Sequence, residues 1–189
     1  VTVAGRSVRV FDPRRGTLVG PPLVLPQTPL RLDLARGAAV LAITTGENTD
    51  QGFEERIHVI DLASASQRFT SEPLRGPLGE FALDPQGRYA LVALAGTREQ
   101  PAALRMIALA ADASVCRQIE LGQGASFGAL AIADDGGSAW IQANGESRQV
   151  QMLRFDLTRC EPLSRLEMRR GGSAVGLVAA GDRVVAHRL

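Results

Sequence analysis

Two short apolar segments hinged on a tight turn recur along this chain, and that recurrence limits its possible folds more than any other feature. The clearest copy spans residues 81–94, Phe-Ala-Leu-Asp-Pro-Gln-Gly-Arg-Tyr-Ala-Leu-Val-Ala-Leu, hinged at Asp84-Pro85-Gln86-Gly87. Proline sets φ for the first corner, glycine permits φ > 0 and aspartate can bond the turn backbone, so the segment reads as a hairpin. Weaker copies cover 32–43, hinged at Arg36-Gly37, 130–141, hinged at Asp134-Asp135-Gly136, and 175–186, hinged at Gly181-Asp182. The chain is therefore a repeat protein.

Leu83 and Ile132, equivalent in two copies, stand 49 positions apart, within the ~40–50 residues that a four-stranded propeller blade occupies. The expected fold is all-β, a β-propeller built of four-stranded antiparallel blades. A partial opening blade covers 1–27, full blades cover 28–77, 78–126 and 127–173, and a partial closing blade covers 174–189. Second strands are apolar on both parities, Tyr89, Leu91 and Ala93 against Ala90, Val92 and Leu94, so both of their faces should be covered. Fourth strands alternate, as Val115, Ile119 and Leu121 do against Gln118 and Glu120, which leaves one face wet. The stretch 46–55 reads as a long polar loop, and 17–25 as one continuous outer strand. Residues 100–111 are alanine-rich enough to suggest helix, but they occupy a third-strand slot and are assigned as loop and strand.

Composition supports many short strands: 45% of residues are hydrophobic but only 4% aromatic, and 20 glycines and 10 prolines supply turns. The formal net charge of +1, from 21 basic residues that are all arginine and 20 acidic ones, gives no global field toward nucleic acid or anionic lipid. No apolar run approaches the ~20 residues of a membrane-spanning helix. A soluble chain is expected, its compartment open with the cytoplasm favoured. Cys116 and Cys160 fall near the starts of corresponding outer strands, a placement that rarely brings Cα atoms within roughly 7 Å, so unpaired thiols are expected.

Val8-Arg9-Val10-Phe11-Asp12, followed by Gly16, Leu18 and Gly20-Pro21-Pro22-Leu23, resembles the third and fourth strands of WD-repeat β-propellers. The family's Trp-Asp pair takes the forms Phe11-Asp12, Ile60-Asp61 and Phe155-Asp156, and has decayed to Ala108-Leu109 in the remaining repeat. The turn at residues 84–87 is similar to the family's turn between first and second strands. No repeat carries the Gly-His pair that often opens a unit, and true Trp-Asp is absent, so the resemblance is to a degenerate, bacterial-type propeller. The chain holds about four blades' worth of strands where the family often closes with seven. The resemblance therefore implies that the remaining blades come from flanking chain, another subunit or a homodimer, with closure of four blades alone the lesser alternative.

No catalytic constellation is visible. His58 and His187 lie inside strands, where packing is the expected role, and Asp84, Asp134 and Asp135 recur with the repeat as turn makers. Trp140 takes the slot of Leu91 and is expected in the core. No cofactor and no metal is expected, and the function expected is a non-catalytic scaffold or sensor that binds a protein or peptide through one loop face. The residues of that face are Glu47, Asp50, Phe53, Glu54, Glu55, Arg75, Arg98, Arg148, Arg169 and Arg170, a mixed acidic and arginine rim with an aromatic anchor. The alternative is a lactonase-like propeller enzyme with a metal held at the axis.

Overall fold

The structure, a computed structural model, describes residues 1–35, 37–50, 52–75, 78–96, 101–109, 118–122, 126–144, 150–167, 176–180 and 183–187. All regular structure among these residues is β. The chain divides into two compact units, Val1–Arg75 and Gly76–Leu189.

The first unit opens with β1 (Thr2–Ala4), β2 (Ser7–Arg9), β3 (Phe11–Asp12), β4 (Thr17–Leu18) and β5 (Leu23–Val24). They form a sheet in the order β1-β2-β5 and a short β3-β4 pair. The outer strand expected over 17–25 is two pieces, because Gly20-Pro21-Pro22 interrupts it and proline has no amide hydrogen for a ladder. A fuller sheet follows from β6 (Pro29–Ala35), β7 (Val40–Thr49), β8 (Gly52–Asp61), β9 (Ser66–Thr70) and β10 (Leu74–Arg75). Its order is β10-β8-β7-β6, with β9 also pairing with β8.

The two sheets repeat one plan at the 49-residue spacing. Asp12 pairs with Thr17 as Asp61 pairs with Ser66, and buried Leu25 and Leu74 sit at matching positions beyond those turns. The backbone amide of Leu25 donates to the Arg6 carbonyl, and Leu74 lies opposite Glu55 in the register. The core of this unit is Val8, Leu25, Leu41, Ile43 and Ile60, with Val3, Leu23 and Leu62 packed against it.

The second unit contains two four-stranded sheets and a hairpin. One sheet is β11 (Leu78–Leu83), β12 (Tyr89–Leu94), β13 (Ala102–Ala108) and β14 (Ile119–Gly122). The next is β15 (Ser126–Ile132), β16 (Ser138–Asn144), β17 (Val150–Asp156) and β18 (Glu161–Glu167). The hairpin is β19 (Gly176–Ala180) with β20 (Arg183–His187). The alanine-rich stretch is strand β13, its Ala103 to Ala108 in register with β12.

Leu91, Ala93, Leu104 and Met106 from one sheet pack with Ile132, Ala139, Ile141 and Phe155 from the next. Trp140 lies on the opposite face of the later sheet, against Ala131, Ala133, Leu177 and Ala179. Arg154 stands 5.2 Å over its ring, so the expected core role carries a cation–π contact. A β-bulge interrupts the first strand at the same place in each fuller sheet, between Pro29 and Arg31, Leu78 and Glu80, and Phe127 and Leu130.

Two kinds of turn recur. After the third strand, Oδ1 of Asp12, Asp61 and Asp156 accepts backbone hydrogen bonds from residues two and three positions on, at 2.8–3.3 Å. Four positions after each aspartate the backbone turns left-handed, at Gly16 (φ 65), Ala65 (φ 49) and Cys160 (φ 63). The aspartates of the Phe-Asp and Ile-Asp pairs are thus turn caps. Between first and second strands, Asp84 is fully buried and accepts from the Arg88 amide at 3.0 Å. The Arg88 guanidinium donates to both of its carboxylate oxygens at 2.8 Å.

That hinge locks onto its counterpart in the next sheet. Tyr89 Oη donates to the Gly136 carbonyl and Gln86 Nε2 to the Asp134 carbonyl at 2.9 Å. A Cβ on Gly136 would overlap both the Arg88 guanidinium and the Asp84 carboxylate, and its φ is +70. Gly136→Ala is expected to lose roughly 2 kcal/mol from combined backbone strain and displacement of the half-exposed Arg88 guanidinium from the buried Asp84 carboxylate. A urea midpoint equal to that of the unmodified chain would refute the lock.

Cys160 is disulfide-bonded, which corrects the expectation of free thiols. The residue sits in the left-handed turn before β18 rather than on the outer strand, so the strand-to-strand separation used to exclude a bridge does not apply to it. The other cysteine of the chain, Cys116, lies outside the described residues.

Candidate functional site

The expected polar loop at 46–55 is instead the outer half of a β-hairpin, which corrects the sequence reading. β7 and β8 pair without interruption from Val40↔Asp61 to Thr49↔Gly52. Threonine at 44, 45 and 49 and phenylalanine at 53 favour extended backbone. At the tip, Thr49 Oγ1 donates to the Gly52 carbonyl at 2.9 Å, and Gly52 takes φ +107. Phe53 is 42% exposed, yet its ring lies against Gly46, where a Cβ would overlap it and crowd Leu30 Cδ1 at 2.9 Å. Phe53 and Leu30 therefore give one side of the extension an apolar patch.

Strand alternation puts the acids elsewhere. Glu47 and Glu54 are directly opposed, with Arg75 of β10 next to Glu54 across the sheet, and Asp50 is exposed in the tip. Glu55 belongs to the other parity. Its side chain is 3% exposed and paired with Arg31 at 3.2 Å, so this member of the expected surface set points inward. Arg98, Arg148, Arg169 and Arg170 lie outside the described residues. The structure thus brings Glu47, Asp50, Phe53 and Glu54 together on one hairpin and removes Glu55 from its surface.

Beneath the extension runs a hydrogen-bonded chain that sequence reasoning missed. Gln27 Nε2 donates to Glu47 Oε2 at 2.9 Å, and Thr45 Oγ1 donates to Gln27 Oε1 at 3.1 Å. Thr45 has then spent its proton, so the 2.9 Å contact to His58 requires His58 Nε2 to carry hydrogen and donate. His58 Nδ1 accepts from Thr70 Oγ1 at 3.3 Å, and Thr70 accepts from Gln67 Nε2 at 2.9 Å. With His58 neutral, every donor in this chain points toward Glu47. The available signal was a threonine and a histidine in strands otherwise filled with Ile, Val and Leu.

Burial pushes the His58 pKa below 6.5, with a hydrogen bond from the ring to Gln67 opposing and the Arg56 charge adding to the fall. Among the described residues, no group of three or more His, Cys, Asp or Glu side chains is placed to hold a metal ion.

Three solved structures share this architecture. The β-propeller domain of the Trilobed protease from Pyrococcus furiosus, reported with an open velcro topology, matches at TM-score 0.58 and 13% identity over 75% of this chain and 43% of that one. The β-propeller domain of Myceliophteria thermophila Cps50 (Swd1) matches at 0.62 and 14%, over 91% and 52%. The fold is a β-propeller. Kuenenia stuttgartiensis hydrazine synthase matches at 0.59 and 15%, over 86% of this chain and 43% of that one. The chain spans about half the length, or less, of these structures, and at such identities the likeness concerns the propeller fold alone. No family model and no curated protein matches the chain.

The lowered His58 pKa gives a pH dependence of defined sign. Between the folded value and 6.5 the unfolded chain binds more protons, so stability falls as pH drops through that window and levels off below it. Asp61 and Asp156 are lowered by hydrogen bonds within their turns, from Ser64 and from Thr158 and Arg159 respectively. Their contribution is present above 3.8 and lost only as pH falls through their lower folded values, a separate window. Denaturant midpoints from pH 7 to pH 5 should decline for the unmodified chain and stay level for His58→Gln; equal slopes would remove His58 as the source. Thr45→Val, which strands the His58 donor, should cost ~1–3 kcal/mol at pH 7 in the same titration.

Proposed function

We propose that this propeller portion is a non-catalytic docking module whose β7–β8 hairpin grips a protein or peptide segment carrying basic and apolar side chains. The observation that carries the reading is the two-sided extension: Glu47 opposite Glu54 with Asp50 at the tip, and Phe53 beside Leu30 over Gly46. The exposed carboxylates of Glu47 and Asp50 attract arginine or lysine, and a half-exposed aromatic ring offers the area on which interface energy concentrates. The anchored hairpin needs little ordering on contact, which lowers the entropic cost of binding. Scaffolding and sensing both use such a surface.

The disulfide at Cys160 supports an oxidising compartment in place of the cytoplasmic one expected from the sequence. Chain unfolded without reductant should give no reaction with a thiol reagent, and two thiols after reduction; thiols present before reduction would return the cytoplasm to favour.

The docking reading is tested by selecting displayed peptides on the immobilised chain. Enriched sequences should combine Arg or Lys with an apolar residue. Phe53→Ala or Glu47→Gln should weaken the selected peptides about tenfold, on the order of 1.4 kcal/mol, while the circular dichroism stays unchanged. Unaltered affinity in both variants would move the docking site off this hairpin, and a stoichiometric divalent metal in the purified chain would favour the lactonase-like alternative.

A further inference from the structure

The β7–β8 hairpin has an unfilled strand position along its β7 side. β6 begins its pairing at Pro29, opposite Thr45, whereas β7 runs on through Gly46, Glu47, Asn48 and Thr49, paired only with β8 among the described residues. The chain that leads into β6 does not fill the gap. It bends at Pro26-Gln27, and Pro29 has no amide hydrogen with which to lengthen the ladder. The gap is thus set by where β6 begins.

One hydrogen bond tells which backbone groups face it. The Ser71 amide donates to the Ile57 carbonyl at 2.9 Å, so Ile57 turns its backbone groups away from β7. Directly opposed residues of an antiparallel pair share this sense, and it alternates along a strand. Thr44, Gly46 and Asn48, which stand opposite Ile57, Glu55 and Phe53, therefore turn theirs toward the β6 side. Arg31 meets Thr44 there. No described strand meets Gly46 or Asn48, and each aims a backbone N–H and C=O at the gap.

The two faces flanking the gap differ in chemistry. Glu47 projects to one, where Gln27 holds Oε2 and leaves Oε1 for another donor. Phe53 belongs to the other, its half-exposed ring lying against Gly46. We infer that an extended segment of the partner adds to β7 as a strand, antiparallel to it and in line with β6, with basic and apolar side chains in alternation. Its residues opposite Gly46 and Asn48 exchange backbone hydrogen bonds with them and lay apolar side chains toward Phe53, while the residue between carries arginine or lysine to Glu47. An acidic strand would set like charges against Glu47. This inference rests on the docking role proposed for the hairpin and adds the means of recognition, which is the partner's backbone and a period of two.

The probe is a synthetic octapeptide of alternating arginine and valine, compared by titration calorimetry with an isomer whose arginines all precede its valines. The alternating peptide should bind at least about tenfold more tightly. N-methylation of its central valine amides should abolish that advantage and N-methylation of its central arginine amides should preserve it, because only the valine amides face β7. Asn48→Pro, which removes an amide that β8 does not use, should remove binding with unchanged circular dichroism. No binding by the alternating peptide, equal affinity for the two isomers, or equal effects of methylation at the two sets of amides would each overturn strand addition. Equal affinity that Phe53→Ala still weakens would leave docking at the hairpin standing without it, and affinity indifferent to both Phe53→Ala and Glu47→Gln would remove both.

Discussion

The structure depends on a sheet strand that cannot tolerate water on either side. Val40 to Thr45 in β7 and Tyr89 to Ala93 in β12 are buried on both parities, and β16 is buried along most of its length. A sheet centred on such a strand needs a neighbour against each face, and the cheapest neighbour is another copy of itself. The other regularities follow from that stacking. Bulges fall at one place in each first strand, hinge turns meet hinge turns through Tyr89 and Gln86, and outer strands such as β18 are left exposed throughout.

Much of this was legible because the decisive chemistry is local. Gly87 and Gly136 both take φ 70 at the corner expected of them, and the cap aspartates act within three residues of themselves. The spacing then follows from counting. What was not legible depends on contacts across the sheet. The stretch 46–55 has the Gly, Asn, Asp and Glu of a loop, and only the packing of Phe53 on Gly46, seven positions away, and the continuous ladder beneath it make the stretch a hairpin. The short strand Leu74–Arg75 pairs back to Glu55 and Glu54 for the same kind of reason. Cys160 lies near the start of an outer strand and was given the spacing of such strands, whereas the left-handed turn before that strand holds it.

The candidate site divides in the same way. Grouping Glu47, Asp50, Phe53 and Glu54 required only their proximity in sequence. Period-two alternation, had it been applied to the stretch 52–61, would have separated Glu54 from Glu55, since adjacent strand residues cannot share a face. Arg31, the partner that holds Glu55 inside, lies 24 positions earlier, and no local signal connects them. The chain from Gln67 to Glu47 draws on residues 27, 45, 47, 58, 67 and 70, so its members become a unit only once three strands and the end of the opening sheet are in place.

That hydrogen-bonded chain also explains why a hairpin rich in loop-type residues stays extended. Thr45, His58 and Thr70 are polar groups in the sheet interior, and each would carry a desolvation cost if left unpaired. Satisfying them in sequence commits Gln27, and through it Glu47, to one arrangement. The direction of donation matters because it ends on a carboxylate, a group that accepts without needing to donate. Burial favours the neutral ring, whose Nδ1 can then accept from the Thr70 hydroxyl. The hairpin is consequently ordered before any partner arrives, and its exposed acids and ring are held in place by groups that no partner needs to touch.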